Sequence, residues 1–386
     1  MPGPGSAAFG GHARKDATDL VSETALPHDP VDAEDLRARV DRALVALLDR
    51  ELGALDFMDA DLDVPAGVLR RFVLEGGKRL RPAFVWWGYR GGGGRPDGPR
   101  AEAVVRAACS VELLHVCALI HDDIMDGSEV RRGRPAMHVE FAGLHRGWTW
   151  RGDPAAFGTG AAVLMGDLAF TWADAALAEA GLPDDRLVAA LKVFNRLRSE
   201  LMGGQYLDLL EARRGAPGEA AVRRVLNYKS GKYTIERPLH LGLALAGGSP
   251  ALARRYSAYG VPLGEAFQLR DDVLGVFGSP EVTGKPAGDD LREGKETYLV
   301  LQARERSDPA GRRLLESALG DAKLTDDDVE AVREVIATSG ALARTEDRVA
   351  ELLAEAKAAL AATDGIDEQA RAALAALADH VTDRSS

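Results

Sequence analysis

From Val31 onward, apolar residues return every three or four positions along almost the whole chain. That is the period of helices burying one stripe. The pattern predicts helices over residues 35–58, 65–90, 101–126, 159–180, 184–212, 218–246, 250–277 and 290–304, with shorter ones from Pro309 onward. Alternation at period two is absent and runs of β-branched or aromatic residues are scarce, which argues against sheet. The predicted breaks are GGGGRPDGP at 91–99, HRGWTWRGDP at 145–154 and the turn around Gly215–Gly218, all rich in residues that interrupt helices. No fixed-period repeat and no dividing linker occur. The prediction is an all-α chain with one large domain, residues 35–386. Before it stands an arm, 1–34, whose Gly, Pro, Ala and charged residues predict mostly unstructured chain.

The segment 101–121 is apolar on nearly every side, as befits a helix in the middle of a bundle. It leads directly into HDDIMD, and carboxylates at the end of a core helix are costly unless paired or metal-bound. The candidate chemistry starts from that conflict. Asp122 and Asp126 are four apart and share one helix face, with Asp123 flanking them. Like charges so placed repel unless a cation sits between them, and an all-oxygen set favours magnesium over zinc. A second acidic pair, Asp271 and Asp272, follows another apolar helix, with Gln268 one turn earlier. Either pair alone is most simply a solvated helix end; two such pairs bordered by apolar helix point to a site.

Charge and cysteine usage narrow the partners. The 386 residues carry 48 Lys and Arg against 60 Asp and Glu, a net charge of −12. This acidity argues against nucleic-acid or anionic-lipid binding, which needs a basic surface. No uninterrupted apolar run reaches the roughly 18–20 residues of a membrane span. The N-terminal segment lacks the apolar core of a secretory signal. Cys109 and Cys117 share a helix, about 12 Å apart by rise, too far for a disulfide. Two unpaired thiols fit a cytoplasmic location.

Against the acidic background the basic clusters stand out. EGGKRLRP carries Lys78, Arg79 and Arg81; SEVRRGRP carries Arg131, Arg132 and Arg134; KSGKYT carries Lys229, Ser230 and Lys232. Gly231, inside a helical run, costs about 1 kcal/mol relative to Ala and marks a candidate kink. Carboxylates bracketed by arginines suggest a magnesium-bound diphosphate, since guanidinium forks match phosphate oxygens. A diphosphate cannot approach four aspartates without divalent ions between them: two unit charges 4 Å apart interact by about 4 kcal/mol at an effective dielectric near 20.

The motifs GGKRLRP, LIHDDIMDGSEVRRGRP, GQYLDL, KSGKYT, FQLRDDVLGVFG and GKPAGDDLREGKETY occur in this order. Through them the chain resembles the trans-isoprenyl diphosphate synthases, the polyprenyl synthetase family, along residues 40–380. The resemblance implies long helices around a deep central cavity, a homodimer, and two aspartate motifs facing each other at the cavity mouth. It implies that Asp122, Asp126 and Asp271 hold magnesium, and that Arg131, Lys229 and Lys285 contact the allylic diphosphate with Gln268 nearby. Lys78, Arg81, His115 and Arg132 are implied to hold the diphosphate of isopentenyl diphosphate. Gln205 and Asp208 match a family element near the metals. The second motif departs from the family: a further aspartate often stands where this chain has Gly275, which thins the carboxylate set.

The expected activity is head-to-tail prenyl transfer from an allylic diphosphate to isopentenyl diphosphate, with Ser230 and Gln268 offering lone pairs to the allylic cation. Family members stop growth with bulky aromatics at the fourth and fifth positions before the first motif. Here those positions are Ala118 and Cys117, so Leu114 or the helix 159–180 is expected to end the tail. The expected product is geranylgeranyl diphosphate, ahead of longer chains and of farnesyl diphosphate. Two rivals are a class I terpene cyclase, which has no use for a second diphosphate site, and a non-catalytic subunit of a heteromeric synthase.

Overall fold

One helix, α4 (Pro99–Asp126), organises the bundle. Pro99 opens it at a position where no amide donor is needed, and Gly127 closes it with φ 69°, the left-handed geometry that favours glycine. Val104, Ala108, Val111, Leu113, Leu114 and Cys117 are buried on its various sides. The computed structural model describes residues 31, 33–55, 58–279 and 288–383.

Around α4 pack α1 (Leu36–Gly53), α3 (Leu80–Gly91), α5 (Met137–Gly147) and α6 (Pro154–Ala178). The short α2 (Asp63–Leu74) precedes α3. Next come α7 (Asp184–Arg214), α8 (Glu219–Val225), a π-helical segment Leu226–Glu236, α9 (Arg237–Ala246) and α10 (Pro250–Phe277). The chain then runs through α11 (Asp289–Arg292), α12 (Tyr298–Arg306), α13 (Pro309–Ala318), α14 (Asp326–Thr338), α15 (Ala341–Ala361) and α16 (Glu368–Thr382). Phe84, Trp86 and Trp87 of α3, Phe194 of α7 and Tyr256 and Tyr259 of α10 fill the main core. A second apolar cluster joins Val273 and Val276 at the end of α10 to Leu291, Leu299, Val329 and Ile336.

The all-α expectation holds among the described residues, apart from a two-stranded hairpin of β1 (Val130–Arg131) and β2 (Arg134–Pro135). Several boundaries differ for identifiable reasons. The stretch expected as one helix over 65–90 breaks between α2 and α3, where Gly76 takes φ 77° and Arg79 φ 54°. Helix α5 occupies ground left unassigned and extends into the expected loop 145–154. The expected helix 218–246 is three pieces with the π segment in the middle, and 290–304 is split at Gly294, φ 73°. Of the arm expected to be unstructured, residues 1–30 and 32 lie outside the described residues. Its end is docked: Val31 is buried, and Glu34 Oε2 accepts from Trp86 Nε1 at 2.9 Å while Oε1 accepts from Arg90 Nη2 at 3.1 Å.

By length and composition α4 and α6 could each cross a membrane, although charged residues such as Arg106 and Glu112 interrupt the apolar run of α4. α4 is a core helix, buried on most sides. α6 packs on α4 and α5 but leaves Phe157, Val163 and Leu164 exposed.

Candidate active site

The carboxylate end of α4, the π segment and the end of α10 meet around a cavity of about 430 Å³. The π segment contributes Leu226, Lys229, Ser230, Tyr233 and Thr234 to the cavity wall, in keeping with the tendency of π geometry to occur at functional sites. It can lie against α10 because Gly231 faces Gly264: a Cβ at 264 would stand 2.6 Å from Gly231 Cα.

At one rim, Asp122 Oδ1 accepts from Gln205 Nε2 at 2.7 Å and from Lys229 Nζ at 3.1 Å, and Lys229 also reaches Asp208 Oδ2 at 2.6 Å. Arg131 Nε donates to the buried Asp123 Oδ1 at 2.8 Å. Burial works to raise the Asp122 carboxyl, but the charges of Lys229, Lys295 and Arg131 prevail and hold it below the usual range. Asp126, one turn further out, behaves oppositely. Burial, then the charge of Asp122, push it up to about 6.

The second rim is Gln268, Asp271, Asp272, Gly275 and Asp290. Asp271 is exposed toward the cavity. Asp272 turns inward, accepting from Gln268 Nε2 at 2.8 Å. Lys295 joins the two rims: its Nζ lies 3.1 Å from Asp290 Oδ1, 3.5 Å from Asp126 Oδ2 and 2.5 Å from Glu293 Oε2. Desolvation lowers the Lys295 pKa, but these carboxylates outweigh it and hold the ammonium well above its ordinary value.

A basic group lines the same cavity. Arg81 Nη2 donates to the Tyr233 hydroxyl at 2.6 Å and to Thr234 Oγ1 at 3.0 Å, with its guanidinium 4.4 Å above the Tyr233 ring. The hydroxyl in turn meets His115 Nδ1 at 2.9 Å. Burial and the charges of Arg81 and Arg132 push His115 well below its ordinary pKa, so its ring is neutral. Arg132, held at φ 55°, turns away from Arg131 and donates through Nη1 to the Phe72 and Glu75 carbonyls. Lys78 is exposed on the same wall. Arg79, grouped with these residues by sequence, is a structural residue: its buried guanidinium pairs with Glu112 at 2.6 Å and Asp41 at 2.8 Å.

Thus Asp122, Asp271, Lys229, Ser230, Gln268, Lys78, Arg81, His115, Arg131 and Arg132 all line one cavity, with Asp126 linked to it through Lys295. Lys285 lies outside the described residues. The residues named for product length divide: Ala118 lines the cavity, whereas Cys117 and Leu114 are buried off it. Cys117 Sγ faces His121 Nδ1 at 3.7 Å. The reason is helical phase, since the cavity stripe of α4 is His115, Ala118, Leu119 and Asp122, leaving Leu114 and Cys117 to the core. Leu201 of α7, one turn below Gln205, lines the cavity with Ala118.

Three residues of this site were not assigned from sequence: Lys295, Asp290 and Tyr233. All lie inside motifs already noted, GDDLREGKETY and KSGKYT, where a lysine and an aspartate beside glycines were the available signal.

The donor set fits a hard divalent cation, being carboxylate throughout. The buried oxygens Asp126 Oδ2 and Asp272 Oδ2 have no hydrogen-bond partner. Among the described residues no three such ligands are gathered into a finished cage; Lys229 and Lys295 occupy the ground between the carboxylates.

Two carboxylate rims and a set of arginines and lysines around one cavity in a helical bundle fit an enzyme that handles diphosphate esters. The chain belongs to the polyprenyl synthetase family, whose profile matches residues 65–336. It is a trans-isoprenyl diphosphate synthase, a prenyltransferase. It is 33% identical over 333 residues to a geranylfarnesyl diphosphate synthase of Aeropyrum pernix, covering 86% of this chain and 97% of that one. A geranylgeranyl diphosphate synthase of Methanosarcina mazei is 31% identical over 309 residues, covering 78% and 86%. A crystal structure of geranylgeranyl pyrophosphate synthase from Corynebacterium glutamicum, complexed with isoprenyl diphosphate and magnesium, superposes with a TM-score of 0.86 at 39% identity, covering 91% and 99%.

Proposed function

We propose that this enzyme condenses isopentenyl diphosphate with an allylic diphosphate to give geranylgeranyl diphosphate, as a magnesium-dependent cytoplasmic homodimer. The observation that carries the reading is that one cavity holds two cationic sets with different partners, Lys229 and Lys295 paired with the aspartates, and Arg81 and Arg132 bonded to Tyr233, Thr234 and backbone carbonyls, with Lys78 beside them. A cyclase has no use for the second set. Relatives named for geranylgeranyl and geranylfarnesyl products support a long tail.

Asp122, Asp126 and Asp271 would hold magnesium, which when bound supplies Lewis-acid stabilisation of the leaving diphosphate. The allylic diphosphate lies between Lys229, Lys295 and Arg131, with Lys285 a further contact. These cations trade carboxylate partners for phosphate oxygens and favour the charge that grows as the allylic C–O bond breaks. Lys78, Arg81, His115 and Arg132 hold isopentenyl diphosphate so that its double bond faces the cation. Ser230 and Gln268 direct lone pairs toward that cation. The new C–C bond forms, and a proton leaves to the departed diphosphate. Neutral His115, accepting from Tyr233, fixes the orientation of Arg81 through the same hydroxyl.

The hydrocarbon tail runs past Ala118 between α4 and α7, with Leu201 opposite. Product chromatography after incubation with each allylic primer, with and without isopentenyl diphosphate, tests the reading. Wild type is expected to yield a twenty-carbon diphosphate only when isopentenyl diphosphate is present, and Ala118→Phe to stop at fifteen carbons. A cyclic hydrocarbon from a single substrate would overturn the activity, and an unchanged product from Ala118→Phe would overturn the tail's path.

A further inference from the structure

The side chains assigned above to isopentenyl diphosphate, Lys78, Arg81, His115 and Arg132, come from three separate parts of the chain. What they share lies behind them. Arg79 is buried, and every nitrogen of its guanidinium is engaged. Nε donates to Asp41 at 2.8 Å, Nη1 to Glu112 Oε1 at 2.6 Å and to the Val73 carbonyl at 3.2 Å, and Nη2 to the Leu74 carbonyl at 3.2 Å. Nothing is left for a phosphate.

We propose that the buried Arg79–Glu112 pair is a positioning device for isopentenyl diphosphate, fixing Lys78, Arg81, His115 and Arg132 relative to one another without touching the substrate. The assignment rests on the reading of that group given above.

Three connections carry it. The first runs along the chain. Arg79 stands between Lys78 and Arg81 with φ 54°, and a residue other than glycine keeps that geometry only where its surroundings hold it; here the bonds of its own side chain do so. The turn closes on the pair as well, since a Cβ at Gly77 would stand 2.8 Å from Glu112 Oε1. The second connection is α4, on which Glu112 precedes His115 by three residues and so shares its face. The third is the end of α2, whose last carbonyls have no partner inside the helix. Arg132 takes those of Phe72 and Glu75, and Arg79 takes those of Val73 and Leu74. The two guanidiniums are interleaved on one helix end, so Arg132 is placed by the same anchor.

The simpler account is that the pair only holds the fold. Removing one partner cannot separate the two, because the other charge is then buried alone. Replacing both can: a buried ion pair exchanged for apolar side chains of similar size often leaves stability unchanged. Arg79→Met combined with Glu112→Leu fills the space but gives the Val73 and Leu74 carbonyls no donor, which frees the turn and the end of α2.

The test is urea unfolding of this double variant, followed by steady-state kinetics with each substrate varied in turn, beside Arg81→Ala. The double variant is expected to unfold near the wild-type midpoint and to raise KM for isopentenyl diphosphate by about 10-fold to 100-fold, the scale of a misplacement of about 1 Å. KM for the allylic substrate is expected to stay within about threefold, since its contacts are made elsewhere. A folded double variant with wild-type KM for isopentenyl diphosphate overturns the proposal, as does an equal rise for both substrates. If the double variant does not fold, Glu112→Gln decides, because it keeps an acceptor for Arg79 but removes the charge that holds it: an unchanged KM for isopentenyl diphosphate overturns the proposal, and a selective rise supports it. An Arg81→Ala variant with unchanged KM for isopentenyl diphosphate overturns instead the reading of the basic group, and is thereby distinguishable.

Discussion

Arg131 and Arg132 are neighbours in sequence and opposites in space. The left-handed backbone at Arg132, φ 55°, sends one guanidinium to Asp123 and the other to the carbonyls at the end of α2. Charge-assisted hydrogen bonds to phosphate are worth about 1.5–3 kcal/mol each, or roughly 10-fold to 150-fold. Arg132→Ala is therefore expected to raise KM for isopentenyl diphosphate by that factor, and Arg131→Ala to act on the allylic substrate. Steady-state kinetics with each substrate varied in turn checks the division; equal impairment of both substrates by both variants refutes it. His115 carries a pH consequence. Its folded pKa is depressed below the ordinary value near 6.5, so above pH 6.5 the ring is neutral whether the chain is folded or not. Below that pH the unfolded chain takes up a proton that the folded site refuses. Stability is then lost at up to about 1.4 kcal/mol per pH unit as pH falls. Urea unfolding at pH 7 and pH 5.5 should show a smaller acid loss for His115→Gln than for wild type.

Among the elements, the π segment has the most to do with function. Lys229, Ser230, Tyr233 and Thr234 all reach the cavity from it, and π geometry is often found at functional sites. Gly231 and Gly264 allow the wide turn to lie on α10. Gly264→Ala would bring a Cβ within 2.6 Å of Gly231 Cα. Overpacking of that kind costs about 1–3 kcal/mol, so the variant should unfold at lower urea. It should also lose turnover even where it is folded, because Lys229 moves with the segment. Normal kcat in the folded variant would show that the register of the π segment does not set the site. Gly231 was visible in the sequence as an anomaly in a helical run. That the anomaly is π geometry was not, because it depends on what α10 presents opposite.

At the scale of the molecule, α6 has an apolar face that nothing among the described residues covers. Leu164 is 61% exposed, and the face continues through Phe157 to Trp150, whose ring lies 5.3 Å from that of Phe157, and on to Trp148 at 4.5 Å. Contiguous apolar surface of this kind marks an interface, and the homodimer proposed above would cover it with a second copy. Leu164→Glu should shift the protein from dimer to monomer in sedimentation velocity; an unchanged dimer would place the interface elsewhere.

The helical class and the chemistry-bearing residues were written in the sequence. Spacing of three and four defines helices locally, and carboxylates at the end of an apolar helix cannot be hidden without a purpose. What joined those residues into one site was tertiary. Only the packing of α4, α7, the π segment and α10 decides that Ala118 faces the cavity while Cys117 faces His121, since one residue along a helix turns a side chain by about 100°. Only the fold turns Arg79 into the core and leaves Lys78 and Arg81 on the cavity wall. The absence of an aspartate at 275 was legible in the sequence; that Asp290 of α11 lies over Gly275 was not, because two residues fifteen apart in sequence meet only when α11 packs on α10.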